Sequence, residues 1–297
     1  MLRVCLLAGI VALTGATASA QTPPPSLREQ AETGDPVAAF EYGYSLTFPE
    51  DGDPDTVTGR YWLVQAANTG HPPANHMLGI LYRDGFGVPT DIDRARAFFE
   101  LAWQAGDRAA GHDLAELMLY DYSDERDEAV QILESLLGDA DTGPGASLTL
   151  AETLMFDGDA DGESDSDAVR AVILARDALD RDPELVRAQY LLGIGAAEGL
   201  AGPVDQAAAR QAWEAGAEAG DTLALIALAD SWLDPDWGVN DRGEAMALYA
   251  LAGELGDDQA ASLAADLAET LDDTETDRAG IRRQAWENRM GWNPSQD

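Results

Sequence analysis

One stretch of the sequence decides the fold: from Ala74 to Ala95 it reads ANHMLGILYRDGFGVPTDIDRA. Its first half carries an apolar stripe centred on the pair Leu78-Gly79, with Tyr82 three residues further on. Spacings of one and three place side chains on the same face of a helix. A loop rich in glycine and proline follows, and a second helical segment begins after it. The stretch therefore predicts two helices joined by a short loop.

The pairing of a large residue with a small one recurs along the chain at a nearly constant interval. The small members of these pairs are Gly43, Gly79, Ala115, Ala151, Gly193, Ala229 and, in a faded copy, Ala265. Successive gaps are 36 residues, except for one of 42 between positions 151 and 193. A period of this size indicates a repeat protein, in which neighbouring units bury a shared core.

A second marker predicts the corner between one unit and the next. It is a glycine followed by a polar residue, at Gly34-Asp35, Gly70-His71, Gly106-Asp107, Gly220-Asp221 and Gly256-Asp257. Glycine ends a helix in the left-handed conformation, and aspartate caps the start of the next helix. Each unit is thus predicted as helix A, a loop, helix B and a corner. In the unit 70–106, helix A spans about 72–84 and helix B about 90–105.

These features together resemble the Sel1-like repeat, a relative of the tetratricopeptide repeat. The matching residues are Leu78-Gly79, Tyr82, Gly85, Gly87-Val88-Pro89, Asp91, Ala95 and Ala105-Gly106. The resemblance is specific over 70–106, fair over 184–256 and limited to the helical periods over 107–183. It implies an all-α fold, a right-handed α-solenoid of stacked helix-turn-helix repeats, that acts as a protein-binding scaffold. The cysteine-stapled branch of the family does not fit, because Cys5 is the only cysteine.

The two ends of the chain depart from the period. Residues 1–20 combine Arg3, a short apolar run and a small-residue site ending at Ala20, which is typical of a secretory signal peptide. We expect cleavage after Ala20 and a periplasmic or secreted protein. A proline-rich spacer at 21–26 precedes a solenoid at 27–272 of about six helix pairs. A C-terminal capping helix is predicted at 273–292, packed through the stripe of Ile281, Ala285 and Met290, and a tail at 293–297.

The charge of the chain limits its partners. The formal net charge is −37, and every basic side chain is an arginine because the sequence contains no lysine. Such a surface repels nucleic acid and anionic lipid, and it favours cations or a basic partner. No apolar run after the signal segment is long enough to span a membrane. We therefore expect a protein or peptide partner, no nucleic acid and no integral membrane segment.

The single enlarged gap contains an acidic, glycine-bearing segment. The candidate metal ligands in it are Asp157, Asp159, Asp161, Glu163, Asp165 and Asp167. Aspartates at positions 1, 3 and 5 with Gly162 at position 6 follow the calcium-loop pattern. Position 12 is Ala168 where that pattern has a bidentate glutamate, and position 8 is Ser164 where it has an apolar residue. A calcium site and an acidic flexible insertion both remain hypotheses.

Other polar residues support weaker hypotheses. Asp51, Asp53 and Asp55 form a poorer echo of the calcium pattern, without the glycine. His76 and His112 are 36 residues apart, so they hold equivalent positions on neighbouring A helices and could bind a transition metal or form a pH-sensitive pair. Packing is the alternative, because the same position elsewhere is occupied by Phe40, Leu148, Tyr190 and Ile226.

We expect the aromatic and arginine side chains to have structural roles. Tryptophans such as Trp62, Trp213 and Trp232 fall on helical stripes, which favours a place in the core. The last helix concentrates positive charge at Arg278, Arg282, Arg283 and Arg289. Docking of these arginines against acidic neighbours is expected, and a binding patch is the alternative.

The function predicted from the sequence is that of an exported scaffold or adaptor, not an enzyme. The chain lacks His-Glu-x-x-His, Gly-x-Ser-x-Gly and phosphate-loop motifs. The A helices are expected to line a concave surface that holds a protein or peptide of the cell envelope. One alternative is a calcium-responsive binding module, with calcium as its cofactor. Another, suggested only by relatives of the repeat family, is a hydrolase of cell-wall or β-lactam substrates.

Overall fold

A computed structural model describes residues 26–121, 125–156, 164–238 and 240–291 of the chain. Those residues form helices and no strand. None of the helices is both long enough and apolar enough to cross a bilayer. The α-helices are α1 (Leu27–Glu32), α2 (Pro36–Thr47), α3 (Thr56–Ala67), α4 (Pro72–Asp84), α5 (Ile92–Gln104), α6 (Arg108–Asp121), α7 (Arg126–Leu136), α8 (Gly143–Phe156), α9 (Ser164–Arg181), α10 (Arg187–Glu198), α11 (Gln206–Glu218), α12 (Thr222–Leu233), α13 (Arg242–Glu254), α14 (Asp258–Ala268) and α15 (Asp273–Met290).

The helices alternate as the period predicts. The A helices are α2, α4, α6, α8, α10, α12 and α14, and a B helix follows each of the first six; α15, which follows α14, covers the segment predicted as the capping helix. In the unit used to define the repeat, α4 and α5 begin and end within two residues of the expected positions. The described residues therefore confirm an all-α solenoid of helix-turn-helix repeats.

Corners between units use the glycine-aspartate marker. The glycines at 34, 70, 106, 220 and 256 have φ angles of 93°, 82°, 93°, 84° and 108°, a region that favours glycine. Where the next residue is an aspartate, it caps a helix: Asp35 Oδ1 accepts from the N–H of Val37 at 2.9 Å, and Asp221 Oδ1 accepts from that of Ala224 at 2.8 Å. These contacts explain why the marker recurs with the period.

The described residues fall into two compact units, one up to residue 74 and the other from residue 75 onwards. In the first, a core of small alanines is flanked by Phe40, Tyr42 and Trp62. Helices α2 and α3 approach so closely that a Cβ on Gly43 would lie 2.8 Å from the carbonyl oxygen of Gly59. The small residue of the repeat therefore permits close contact between the two helices.

In the second compact unit, the small residue of the marker packs against an aromatic ring of the paired B helix. A Cβ on Gly79 would lie 2.5 Å from Cδ1 of Phe99, which is fully buried. Gly193 receives the indole of Trp213 in the same way, and the indole N–H donates to the carbonyl of Tyr190 at 3.1 Å. In these two repeats the marker glycine thus makes room for a large core side chain.

The last helix, α15, packs differently from the prediction. Its buried residues are Ala279, Trp286 and Glu287, whereas Ile281 is 71% exposed and Ala285 is exposed. The predicted stripe was therefore wrong for Ile281 and Ala285. Packing is decided by the indole of Trp286, whose N–H donates to Glu244 at 2.7 Å, together with arginine ion pairs on the same face.

Candidate binding groove on the A helices

Polar side chains connect successive A helices at one register position. His76 Nε2 on α4 lies 2.7 Å from Oδ2 of Asp113 on α6, and His112 Nε2 on α6 lies 3.0 Å from Oγ1 of Thr149 on α8. Both contacts span 37 residues, so they are the same contact made one repeat apart. The two histidines therefore contact different residues, although the sequence suggests that they could form a pair.

An arginine continues the polar row at the start of α10. Arg187 Nε donates to Oδ2 of Asp221 at 2.5 Å, and Arg187 Nη1 lies 3.9 Å from Oε1 of Glu152 on α8. The same Asp221 carboxylate caps α12. The guanidinium is thus held between a buried carboxylate on one side and Glu152 on the other.

A cavity of about 260 Å³ opens among these side chains. Four A helices, α6, α8, α10 and α12, contribute to its walls. The lining residues are Leu119, Tyr120, Thr149, Glu152, Thr153, Phe156, Arg187 and Leu223. The cavity combines apolar walls with a few convergent polar groups, which is the usual character of a ligand site.

Glu152 is the electrostatic centre of this cavity. Burial raises the pKa of the Glu152 carboxyl above its ordinary value, and the nearby carboxylates of Asp221 and Glu116 add to that rise. Arg187 opposes the rise but does not cancel it. The Glu152 carboxylate is partly desolvated, and its neighbouring cation, Arg187, lies 3.9 Å away and is bound more closely to Asp221, which leaves room for a positively charged ligand group.

Two aromatic rings stand at the rim of the cavity. Tyr120 is 82% exposed and Phe156 is 55% exposed, although the sequence favours core positions for aromatic residues. Phe156 stacks on Tyr190 with ring centroids 6.2 Å apart and an interplanar angle of 23°. Exposed rings that border a carboxylate are suited to the stem and charge of a basic side chain.

The Tyr190 ring connects the first cavity to a second one, of about 250 Å³, on α10 and α12. Its lining residues are Tyr190, Ile194, Trp213, Ala227, Asp230, Ser231, Asp234 and Trp237. At this cavity the hydroxyl of Tyr249 donates to Asp230, which together with burial raises the pKa of that tyrosine. We call the surface formed by the two cavities the A-helix groove.

The predicted calcium ligands Asp157, Asp159, Asp161 and Glu163 lie outside the described residues. Helix α9 begins at Ser164, so Asp165 and Asp167 belong to its first turn. The calcium site remains a prediction. In the weaker echo of the pattern, Asp55 is engaged as the cap of α3, where its Oδ1 accepts from the N–H of Thr58 at 3.0 Å. That bond lowers the pKa of Asp55.

Three of the four arginines of α15 dock against acidic neighbours, as expected. Arg283 pairs with Glu254 and Glu287, while Arg282 pairs with Asp241 and Glu244. Arg289 reaches Glu214 and Glu218 on α11 and lies over the ring of Trp286. The positive charge of these three side chains is thereby used to hold the last helix in place.

The sequence does not predict the groove residues, although a repeated aromatic position indicates the rim of the first cavity. Phe48, Tyr120 and Phe156 hold the same position, five residues after the small residue of the marker, near the end of an A helix. An aromatic residue at the edge of an apolar stripe is a candidate for exposure. Glu152 and Arg187 carry no such signal, because carboxylates are abundant and Asp221, the partner of Arg187, is 34 residues away.

A family model for the Sel1 repeat matches residues 36–71, 72–107, 186–221 and 223–257. Two matched repeats precede the unmatched segment 108–185, and two follow it. That segment supplies six of the eight residues that line the first cavity. The cavity therefore lies mainly where the repeat sequence has diverged. No protein of curated function matches the chain.

Solved structures that are similar to this chain include two helical repeat proteins. One is a protective antigen present in uropathogenic Escherichia coli strains and displaying an SLR fold, with 17% identity, a TM-score of 0.56 and coverage of 89% of this chain. The chain spans 63% of that protein's length. The other is a Sel1 repeat protein from Oxalobacter formigenes, with 22% identity, a TM-score of 0.60 and coverage of 75% of this chain and 89% of the other. Likeness at these identities concerns the fold alone.

Proposed function

This chain is a Sel1 repeat protein, and we propose that it is a scaffold that binds a basic segment of a protein partner in the A-helix groove. Sel1 repeat proteins generally act as protein-interaction scaffolds. The basic character of the segment is inferred from the chemistry of the first cavity.

The observation that carries this proposal is the position of Glu152 in that cavity. Its desolvated carboxylate has Arg187 as a neighbouring cation only at 3.9 Å, and the exposed rings of Tyr120 and Phe156 border the same space. An arginine or lysine side chain can place its stem along the rings and its charge at the carboxylate. This arrangement satisfies a charged group that the fold leaves poorly paired.

The charge of the whole chain supports the same partner. A net charge of −37 attracts a basic segment over long range, and the attraction weakens as salt is added. The second cavity adds the carboxylates of Asp230 and Asp234 along the groove. A segment with several basic residues would therefore meet acidic groups in both cavities.

A scaffold also fits the described chemistry better than a hydrolase. Hydrolysis by carboxyl groups uses a pair with separated pKa values, one acid and one base or nucleophile. Glu152 has a raised pKa, but it is the only carboxyl group among the described residues that line the cavity, and its charged neighbour there is Arg187. The cavity is consequently suited to binding a cation.

Export is a separate part of the proposal and rests on residues 1–20. The positive start, the short apolar run and the small residues before Gln21 are typical of a cleaved signal peptide. The scaffold would then act in the periplasm or outside the cell, on a partner of the cell envelope. Amino-terminal sequencing of the protein from its native host tests this directly, with Gln21 as the expected first residue.

Peptide selection tests the binding function and needs no identified partner. A random peptide library would be selected on the purified protein and on its Glu152→Gln variant, with Glu134→Gln on helix α7 as a control of similar chemistry outside the groove. Selection on the wild-type protein and on the control should enrich arginine or lysine at a fixed position. Selection on Glu152→Gln should lose that preference.

The proposal fails if wild-type protein selects no basic position. It also fails if Glu152→Gln and the wild-type protein select the same peptides. Either result would place binding elsewhere on the chain or remove peptide binding altogether.

A further inference from the structure

We propose that His112, Asp113 and Glu116 on α6 form a binding site for a divalent transition-metal ion, with Zn²⁺ as the ion that best suits the ligands. One ligand atom from each of the three residues can be chosen so that all three atoms lie within 4.8 Å of one another. This inference does not depend on peptide binding in the A-helix groove.

The spacing of the three residues brings them together on one helix surface. Residues four apart, such as His112 and Glu116, are neighbours on a helix, and so are Asp113 and Glu116 at three apart. His112 Nε2 lies 3.9 Å from Glu116 Oε1. Two ligand atoms that each bind Zn²⁺ at about 2.0–2.2 Å can stand no more than about 4.4 Å apart. This pair admits an ion when His112 Nε2 exchanges its 3.0 Å contact with Thr149 Oγ1 for the metal, and the Asp113 ligand atom lies within 4.8 Å of both.

Neighbouring helices hold two of the three ligands in place. His76 Nε2 on α4 lies 2.7 Å from Asp113 Oδ2 and fixes that carboxylate from the opposite side. The His112 ring lies against α8 at Gly145, where a Cβ would come within 3.3 Å of its Cε1 atom. Metal-binding carboxylates and imidazoles are commonly oriented by such outer contacts. The arrangement is therefore more ordered than a chance group of surface acids.

The surrounding charges favour a cation on balance. Arg83 Nη1 lies 3.5 Å from Asp113 Oδ1 and opposes a positive ion there. The same guanidinium, however, donates to both carboxylate oxygens of Asp84, at 2.7 and 3.3 Å. On the other side, Asp107 lies 3.8 Å from His76 Nδ1. The net charge of the chain adds a long-range attraction.

The ligand types separate this site from the calcium hypothesis for residues 157–167. Calcium takes oxygen ligands, about six to eight of them, whereas an imidazole is suited to zinc, copper or nickel. One imidazole and two carboxylates leave a fourth position on Zn²⁺ for water. Binding of Zn²⁺ at α6 and of Ca²⁺ at the acidic segment are thus independent events.

Calorimetric titration of the chelator-treated protein with Zn²⁺ tests the site. We expect one Zn²⁺ per chain for the wild-type protein and loss of that binding in both Glu116→Gln and His112→Gln. The variant His76→Leu should bind about 10–100-fold more weakly, because it removes only an orienting contact. Glu134→Gln, as exposed as Glu116 but on α7, should bind like the wild-type protein.

Cobalt serves as a spectroscopic probe of the same site. Co²⁺ bound to the wild-type protein should give visible absorption bands that Zn²⁺ removes and that Glu116→Gln lacks. Circular dichroism before each titration establishes that the variants are folded, and Glu116 is exposed enough for its isosteric replacement to be tolerated. The inference is overturned if the wild-type protein binds no Zn²⁺. It is equally overturned if folded Glu116→Gln and His112→Gln bind Zn²⁺ as the wild-type protein does.

Discussion

Arg187 and Asp221 form an ion pair that ties the groove to the corner of the next repeat. The Arg187 Nε atom donates to Asp221 Oδ2 at 2.5 Å, while the other Asp221 oxygen caps α12. The Asp221 side chain is almost fully buried, whereas Arg187 is partly exposed in the cavity. A residue that the repeat uses to turn the chain thus also positions the cation beside Glu152.

Replacement of Asp221 separates its two roles. Asp221→Ala removes both the cap and the partner of Arg187, so the free energy of unfolding should fall by about 2–3 kcal/mol. Asp221→Asn keeps a good capping side chain and loses only the charge, so it should cost about 1 kcal/mol or less, given the exposure of Arg187. Urea denaturation of both variants measures the difference. Equal losses in the two variants would mean that the cap contributes nothing.

Replacement of glycine by alanine should change the stability of the protein in opposite directions at the repeat marker and on α15. Gly79→Ala would put a Cβ 2.5 Å from the buried Phe99 ring, so we expect a loss of about 1–3 kcal/mol from overpacking. Gly280→Ala on α15 meets no atom within 4 Å, so it should stabilise the protein by about 0.5–1 kcal/mol. Thermal unfolding of the two variants should therefore shift in opposite directions. A stabilised Gly79→Ala protein would contradict the packing described for the repeat.

The acidic segment 157–167 gives a prediction about calcium. If Asp157, Asp159 and Asp161 bind Ca²⁺, millimolar Ca²⁺ should raise the melting temperature of the wild-type protein by ligand linkage. The double variant Asp159→Ala, Asp161→Ala should show no such rise. Mg²⁺ at the same concentration controls for general screening of the acidic surface. An unchanged melting temperature for the wild-type protein in Ca²⁺ would remove the calcium site.

Local chemistry explains why so much of the fold can be predicted from the sequence. The corner at Gly220-Asp221 needs a left-handed residue and a cap, and few residue types supply them. The marker glycine at Gly79 is needed because Phe99 occupies the space of its Cβ. Both requirements act within one unit and recur with the period, so they are visible in a single sequence.

The groove could not be predicted because it depends on contacts between residues of neighbouring repeats. Glu152 and Arg187 meet across 35 positions, and nothing in the local sequence distinguishes Glu152 from the many other carboxylates. The predicted packing face of α15 was also wrong for a physical reason. Trp286 buries more surface than Ile281 and forms a hydrogen bond, so the indole and not the aliphatic side chain faces the core.

The rim aromatics should matter for binding more than for stability. Phe156→Ala removes a ring that is more than half exposed, so the melting temperature should change little. Binding of a peptide selected on the wild-type protein should weaken, because the stem of the basic side chain loses its contact surface. Fluorescence polarisation with that peptide provides the measurement. Unchanged affinity in both Phe156→Ala and Tyr120→Ala would show that the rim takes no part in binding.

Glu152 should make stability depend on pH in a defined direction. Its pKa is raised above 4.5 in the folded protein, so the folded state holds the proton more tightly than the unfolded state. The stabilisation from that proton is complete below about 4.5 and is lost as the pH rises through the raised value. Glu152→Gln should therefore be more stable than the wild-type protein at neutral pH. The difference should vanish below about pH 4.5, as thermal unfolding across the pH range would show.

The most direct test of the account is a paired measurement on Glu152→Gln at neutral pH. If a residue has only a structural role, its replacement should lower both the stability of the protein and its affinity for the peptide. A carboxylate kept desolvated for a ligand should instead gain stability and lose affinity for a basic peptide. We predict a higher melting temperature and weaker binding of the peptide selected on the wild-type protein, with Glu134→Gln unchanged in affinity. Full affinity for the peptide in Glu152→Gln, whatever its melting temperature, would contradict the proposed binding site.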